Sequence, residues 1–368
     1  MTESRRLQPI ELSLIRRVLH SAPPGAINLA LGELGFPLPE ILRQKALDLL
    51  AQGTLVYTPN AGIPELRAAI AAIYPGCDPD SVCVCNGVEE AVFVTLLAIL
   101  DPGDRVAIPD PDYPAYSAIC KMLEANVIRL PFESNLLSVD WHKWEQLLAD
   151  GVKTLVFSHP SNPCGHVFTE QEARRLAGLC SQHGIVLVVD EIYSRLFFNA
   201  PPPGFHGRME PSFILGGLSK SHCMSGWRLG WIVAPPGFSA AVIKARQYVS
   251  TCSNWLSQHL AAYALSDDGG RAADEVMGQL QASRDLALEK LSPWLDRVLV
   301  PSATPYLLLR VEGDDLRTAS YLARKGVICV PGSAFGEVSR GWLRINYAVD
   351  KQQLTTALDI IHDELYLH

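Results

Sequence analysis

The chain has 368 residues, of which 48% are hydrophobic and 19% charged, and its formal net charge is −8. That length is too great for one simple core, and the acidic balance excludes a general nucleic-acid or anionic-membrane surface. The nine cysteines are scattered, with neither a metal-ligand spacing nor a disulfide framework, so no metal is expected and a reducing cytoplasm is the expected location. No apolar run approaches the length of a membrane span, and the opening residues Met1 to Leu7 lack the apolar region of a secretory signal.

In chain order, an arm rich in Pro and Gly runs to about residue 40. Seven β-rich runs then alternate with helical stretches. The runs are Ser81–Cys85, Arg105–Pro109, Val127–Pro131, Thr154–Ser158, Gly184–Asp190, Ser212–Gly216 and Gly230–Ala234. Several are nearly all apolar, as strands buried on both faces must be. Helices are predicted between them, among others over Val88–Leu100, Thr169–His183 and Ala240–Thr251. This alternation predicts an open, mostly parallel α/β sheet, a fold that gathers functional residues at the carboxyl ends of its strands. After about residue 270 the pattern changes. A long helix, Arg271–Leu291, leads to strand-like Tyr306–Val311, Val327–Val330 and Trp342–Ala348, with helices at Leu316–Lys325 and Lys351–Leu367. These predict a smaller α+β domain, which the N-terminal arm joins.

Five places carry candidate chemistry. In "GLSKSHCMSGWRLG" (217–230) Lys220 stands among small residues near a sheet end. Such a lysine is ordinarily a solvated loop charge. Desolvation and a nearby cation, here Arg228, would instead give the neutral amine that a Schiff base with an aldehyde cofactor requires. Asp190 ends the apolar run "IVLVVD"; it is either a helix cap or a crevice carboxylate facing a cation such as a protonated pyridine nitrogen. Tyr193 lies on the same side if a helical turn follows. Asn162, in "SHPSNPCG", sits in a turn and aims at the same crevice. "VCNGVEEAV" passes from strand to helix at Gly87, which offers free amides to a phosphate. Arg344, inside the apolar strand "GWLRINYA", is either half of a structural ion pair or a bidentate clamp for a substrate carboxylate.

Together these residues resemble the class I/II aminotransferase family of fold type I pyridoxal 5'-phosphate enzymes, and the similarity runs from about Ile27 to the end. Its blocks are "INLALGELGFPLPE" (27–40), "YTPNAGIPELRAAIA" (57–71), "LDPGDRVAIPDPDYPAY" (100–116), "SNPCG", "DEIY", "LSK…GWRLG" and "VPGSAFG" (330–336). The resemblance implies an α/β fold class: a three-layer, mostly parallel seven-stranded sheet in a large cofactor-binding domain (residues 41–268), a small C-terminal α+β domain (269–368), and an arm (1–40) joining the small domain. It implies that Lys220 binds the cofactor covalently and shuttles the proton. Asp190 would keep the pyridine nitrogen protonated, Tyr193 and Asn162 would bond the 3'-oxygen, and Tyr113 would stack on the ring. Arg228, Ser219 and the helix start Gly87, Val88 and Glu89 would face the phosphate. Tyr57 would reach the phosphate of a partner subunit, which implies a homodimer with shared sites. Arg344 and Asn162 would hold the substrate, and Gly32 would let it approach the backbone.

The chain departs from the family pattern in three places. Gly217 stands where many relatives carry a phosphate-binding serine. Glu89 suits a helix start but repels a phosphate or an acidic substrate. Leu34-Gly35-Phe36 replaces Pro-Asp-Phe. The leading expectation is transamination between an L-amino acid and a 2-oxo acid. A lyase outcome (C–S β-elimination or ring formation) on the same scaffold is the alternative, and a cofactor-binding regulatory module, lacking a basic DNA-binding segment here, is the remote one.

Overall fold

The computed structural model describes residues 3–11, 14–53 and 55–366. Met1 and Thr2, in the opening segment, and Leu367, the last residue of the helix expected from Lys351, lie outside them.

The seven runs form one sheet. Its strands lie in the order Val82–Cys85, Gly230–Val233, Ser212–Gly217, Val186–Asp190, Thr154–Ser158, Arg105–Asp110, Asn126–Pro131. All pairings are parallel except those of Gly230–Val233, which runs antiparallel to both neighbours. The central strands alternate between two hydrophobic clusters. Leu155, Phe157, Leu187 and Val189 enter one, while Val156 and Val188 enter the other. Successive side chains of a strand point to opposite faces, so both faces are packed against helices, as the uninterrupted apolar runs require. The helix Glu170–Gln182 shows how the covering elements start. Thr169 Oγ accepts from the Glu172 amide at 3.2 Å and the Glu172 carboxylate accepts from the Thr169 amide at 2.8 Å. Such a capping box is worth about 1 kcal/mol.

The small domain holds a four-stranded antiparallel sheet in the order Val330–Pro331, Trp342–Asn346, Tyr306–Arg310, Val298–Leu299. The expected strand over 327–330 is two strands. Val327–Ile328 pairs instead with Ile27–Asn28, in parallel. This pairing, together with the packing of the helix Leu14–Ser21 against Asp315–Arg324, ties the N-terminal arm to the small domain. The long helix spans Asp267–Lys290 and starts four residues earlier than its pattern suggests. Ser266 caps it by accepting from the Gly269 amide at 3.3 Å. A Cβ on Gly269 would lie 2.0 Å from the Tyr263 carbonyl oxygen, so the glycine that weakens the helix on paper is what lets it pack there.

From Asn126–Pro131 at the sheet edge the chain crosses back to Thr154–Ser158, on the other side of Arg105–Asp110. Crevices of open α/β sheets form outside the carboxyl ends of strands at such a reversal.

Candidate active site

A cavity of about 270 Å³ opens at these strand ends. Gly32, Val88, Glu89, Tyr113, Asn162 and Asp190 face it, and so do Tyr193, Ser219, Lys220, Arg228 and Arg344. The fold therefore collects on one cavity all but two of the residues singled out in the sequence. Gly87 lies just behind, against Arg228, and Tyr57 is elsewhere, 89% exposed.

Lys220 follows the strand Ser212–Gly217, and its Nζ donates to the Gly32 carbonyl. Its pKa is lowered from 10.5 to about 8, by burial first and then by the Arg344 charge, while Asp190 and Glu33 oppose and Arg228 contributes least. The sequence pointed to Arg228 as the cation that depresses this amine; in the fold Arg344 takes that part, because a distant strand brings it close. A lysine near 8 is neutral often enough at physiological pH to act as nucleophile and base.

Asp190 is buried at the end of its strand. Its Oδ2 accepts from the Tyr116 hydroxyl at 2.7 Å and its Oδ1 from the Ile192 amide at 3.0 Å. Burial nevertheless pushes its pKa up to about 6, against those two bonds and the Lys220 charge. A cation placed beside it would restore the carboxylate.

Arg344 is buried, and among the described residues no carboxylate pairs with it. Nη1 donates to Asn162 Oδ1 at 2.8 Å and Nη2 to the Ala30 carbonyl at 2.6 Å. Its guanidinium lies over the Tyr306 ring at 4.1 Å and near Phe335 at 4.7 Å. Its Nε has no partner although it is buried. Thus the ion-pair alternative fails, and a buried cation with an idle donor suits an anionic ligand. We expect Arg344→Lys, which keeps the charge and loses the fork, to raise the KM for the amino donor about 10–100-fold, with kcat much less affected, in steady-state kinetics.

At the other end, Gly87 (φ 91°) caps the helix Val88–Ile99, whose first amides have no side-chain cap. A Cβ on Gly87 would lie 2.7 Å from Arg228 Nη2, so glycine is needed both for the backbone angle and for this approach. Arg228 has no carboxylate partner among the described residues and donates to the Ser225 carbonyl at 3.0 Å. Guanidinium and free amides converge as a phosphate cradle does. Gly217 also has a local reason: a Cβ there would meet the Leu229 carbonyl oxygen at 2.9 Å, Ile192 Cδ1 at 3.1 Å and Val88 Cγ2 at 3.2 Å. The packing disfavours a serine there, while Ser219, two residues on, does face the cavity. The cradle, the lysine and the buried carboxylate together fit pyridoxal 5'-phosphate.

Four residues not singled out in the sequence complete the site. Tyr306 bonds Tyr193, hydroxyl to hydroxyl, at 2.8 Å, and a Cβ on Gly32 would lie 2.6 Å from its oxygen; Gly32 is thus required by Tyr306. Tyr116 holds Asp190 and sets its ring edge-on to Tyr113 at 5.5 Å. Asp112 accepts from Ser158 Oγ at 2.6 Å and from the Tyr113 amide at 2.7 Å, and the same Ser158 Oγ accepts from the Asn162 amide at 2.9 Å. This chain of bonds fixes Tyr113 and the asparagine that bonds Arg344. Tyr116 was legible as one helical turn beyond Tyr113; the others had no local signal.

Comparison with known proteins agrees with this geometry. Residues 24–361 match the family described as aminotransferase class I and II. A probable aspartate aminotransferase of Methanocaldococcus jannaschii is 28% identical, over 98% of this chain and 99% of that protein. Aromatic-amino-acid aminotransferase 2 of Thermococcus litoralis is also 28% identical, over 98% and 97%. Among solved structures, the aspartate aminotransferase of Thermus thermophilus with maleate superposes with a TM-score of 0.90 at 28% identity, covering 98% of this chain and 99% of that one.

Proposed function

Since the chain belongs to the aminotransferase class I and II family, whose members use pyridoxal 5'-phosphate to move an amino group between an amino acid and a 2-oxo acid, we propose that Lys220 is its proton carrier, Asp190 its charge partner for the cofactor ring and Arg344 its substrate clamp. One observation carries this assignment: the three groups share a single cavity, where burial displaces the pKa values of Lys220 and Asp190 and leaves Arg344 Nε without a partner.

When bound, the cofactor supplies an aldehyde that takes up amino groups and a ring that draws electrons from the substrate Cα. Arg228, Ser219 and the helix-start amides would hold the phosphate; the Glu89 side chain, being anionic, would add nothing there. Asp190 would keep a positive charge on the ring nitrogen. Asn162 and Tyr193 would bond the 3'-oxygen, and Tyr113 would cover the ring and exclude water. Arg344, its plane set by Asn162, grips the α-carboxylate and so presents the Cα proton to Lys220. Lys220 Nζ accepts that proton and returns it to the neighbouring atom of the exchange, which general-base catalysis requires of an amine neutral near pH 8.

The working unit is a homodimer. Leu55, Val56 and Tyr57 are 55%, 58% and 89% exposed, and Tyr248 is 84% exposed. Exposed apolar side chains of this size suit burial against another protein surface, and a second copy would bring its Tyr57 to the phosphate of this site. Tyr57→Phe is expected to weaken cofactor binding about 10-fold, the worth of one hydrogen bond to a charged group, in a titration of the stripped protein. The cytoplasm is the proposed location; the nine free cysteines suit a reducing compartment, and no helix of the described residues is long and apolar enough to cross a membrane.

The kinetic pattern tests the assignment. Varying an amino acid against a 2-oxo acid should give the parallel double-reciprocal lines of a ping-pong exchange; intersecting lines would contradict it.

A further inference from the structure

The roles above leave two charged side chains of the cavity without a task, Arg16 and Glu89. Glu89 is exposed on the first turn of the helix Val88–Ile99. Among the described residues it makes no hydrogen bond or ion pair, and its charge acts on the Tyr113 hydroxyl. A second exposed carboxylate, Glu33, acts on Lys220. Among the described residues, Glu89 on the cavity and Glu33 beside Gly32 thus stand against two exposed guanidiniums, Arg228, which serves the phosphate, and Arg16 on the helix Leu14–Ser21. Between these charges the wall is apolar: Ile15, Leu31, Val92, Ala115 and Ile119.

From this rim we infer that the substrate of the exchange is a monocarboxylic amino acid with an apolar side chain, and that Glu89 is the specificity-determining residue that turns dicarboxylic amino acids away. The inference rests on the proposed function, in which Arg344 holds the α-carboxylate. With that clamp filled and Arg228 committed to the cofactor phosphate, the remaining cation among the described residues of this cavity is Arg16. A second substrate carboxylate meeting it shares the cavity with Glu89, and the like charge offsets what the exposed cation gives. An apolar side chain meets no such opposition, and it removes wall and side-chain surface from water together.

The test uses the cofactor-loaded protein in single-turnover half-reactions, with rate over apparent affinity measured for L-leucine, L-phenylalanine, L-aspartate and L-glutamate. Leucine or phenylalanine should exceed aspartate and glutamate at least about 10-fold, and Glu89→Gln should raise the aspartate-to-leucine ratio roughly 5–10-fold, the size expected for removing one like charge at a partly solvated rim. Either aspartate or glutamate outrunning both apolar amino acids, or a Glu89→Gln protein with an unchanged ratio, overturns the inference while leaving the transaminase assignment intact. Reaction with no amino acid at all overturns the assignment itself and the inference with it.

Discussion

Replacing Lys220 with alanine is expected to lower the rate of the half-reaction by about 10⁴-fold, the upper range for loss of a positioned acid–base group, while the protein still takes up the cofactor through its phosphate cradle. Stopped-flow absorbance of the cofactor-loaded variant reads both effects. A rate within about tenfold of the parent would remove Lys220 from the chemistry. The same residue leaves a thermodynamic trace. In the stripped protein the fold holds the Lys220 proton less tightly than the unfolded chain does, with a pKa of about 8 against 10.5. Between those values the unfolded state binds more protons, so this residue makes stability rise as pH rises through that window. The alanine variant should lose that part of the slope in denaturant titrations.

Asp190→Asn is expected to cost about 10²–10⁴-fold in kcat/KM, from about 3–5 kcal/mol lost when one partner of a buried charge pair is removed. The asparagine oxygen can still accept from the Ile192 amide while its NH2 donates to the Tyr116 hydroxyl oxygen, so the geometry changes little and the charge changes completely. Stability should move the other way. The Asp190 pKa is raised to about 6 by burial, so the folded state holds its proton more tightly than the unfolded chain. This group's contribution therefore falls as pH rises from the ordinary aspartate value through about 6. At pH 8 the stripped Asn variant should be at least as stable as the parent, by thermal melting, while being far less active. Carboxylates held for function against their own desolvation behave in this way.

Much of this site was legible because its chemistry sits at the ends of apolar runs. Asp190 ends a strand buried on both faces and Lys220 and Asn162 follow two others, and a parallel sheet aligns such ends, so their convergence followed from topology. Arg344 stood out because a charge inside an apolar strand demands a partner. What stayed hidden depends on packing between distant segments. Tyr306 reaches Tyr193 across 113 residues of chain and Ser158 meets Asp112 across 46, and neither pairing has a local pattern. The same limit explains why Arg228 was read as the cation beside Lys220, since Arg344 is brought close only by the docking of the small domain. It also explains the stretch 327–330, where one apolar run serves two sheets. Gly217 read as a missing phosphate ligand; three contacts within 3.2 Å of a Cβ there show a position that disfavours a side chain.

The central claim, that one cavity exchanges an amino group through Lys220, is tested most directly by stoichiometry. The cofactor-loaded protein is mixed with a single amino acid and no 2-oxo acid. One 2-oxo acid should form per Lys220 and the reaction should then stop, with the amino group retained on the cofactor and released only when a 2-oxo acid is added. Continuous release of ammonia and 2-oxo acid, with no amino form of the cofactor accumulating, would contradict the account and assign the site to a lyase.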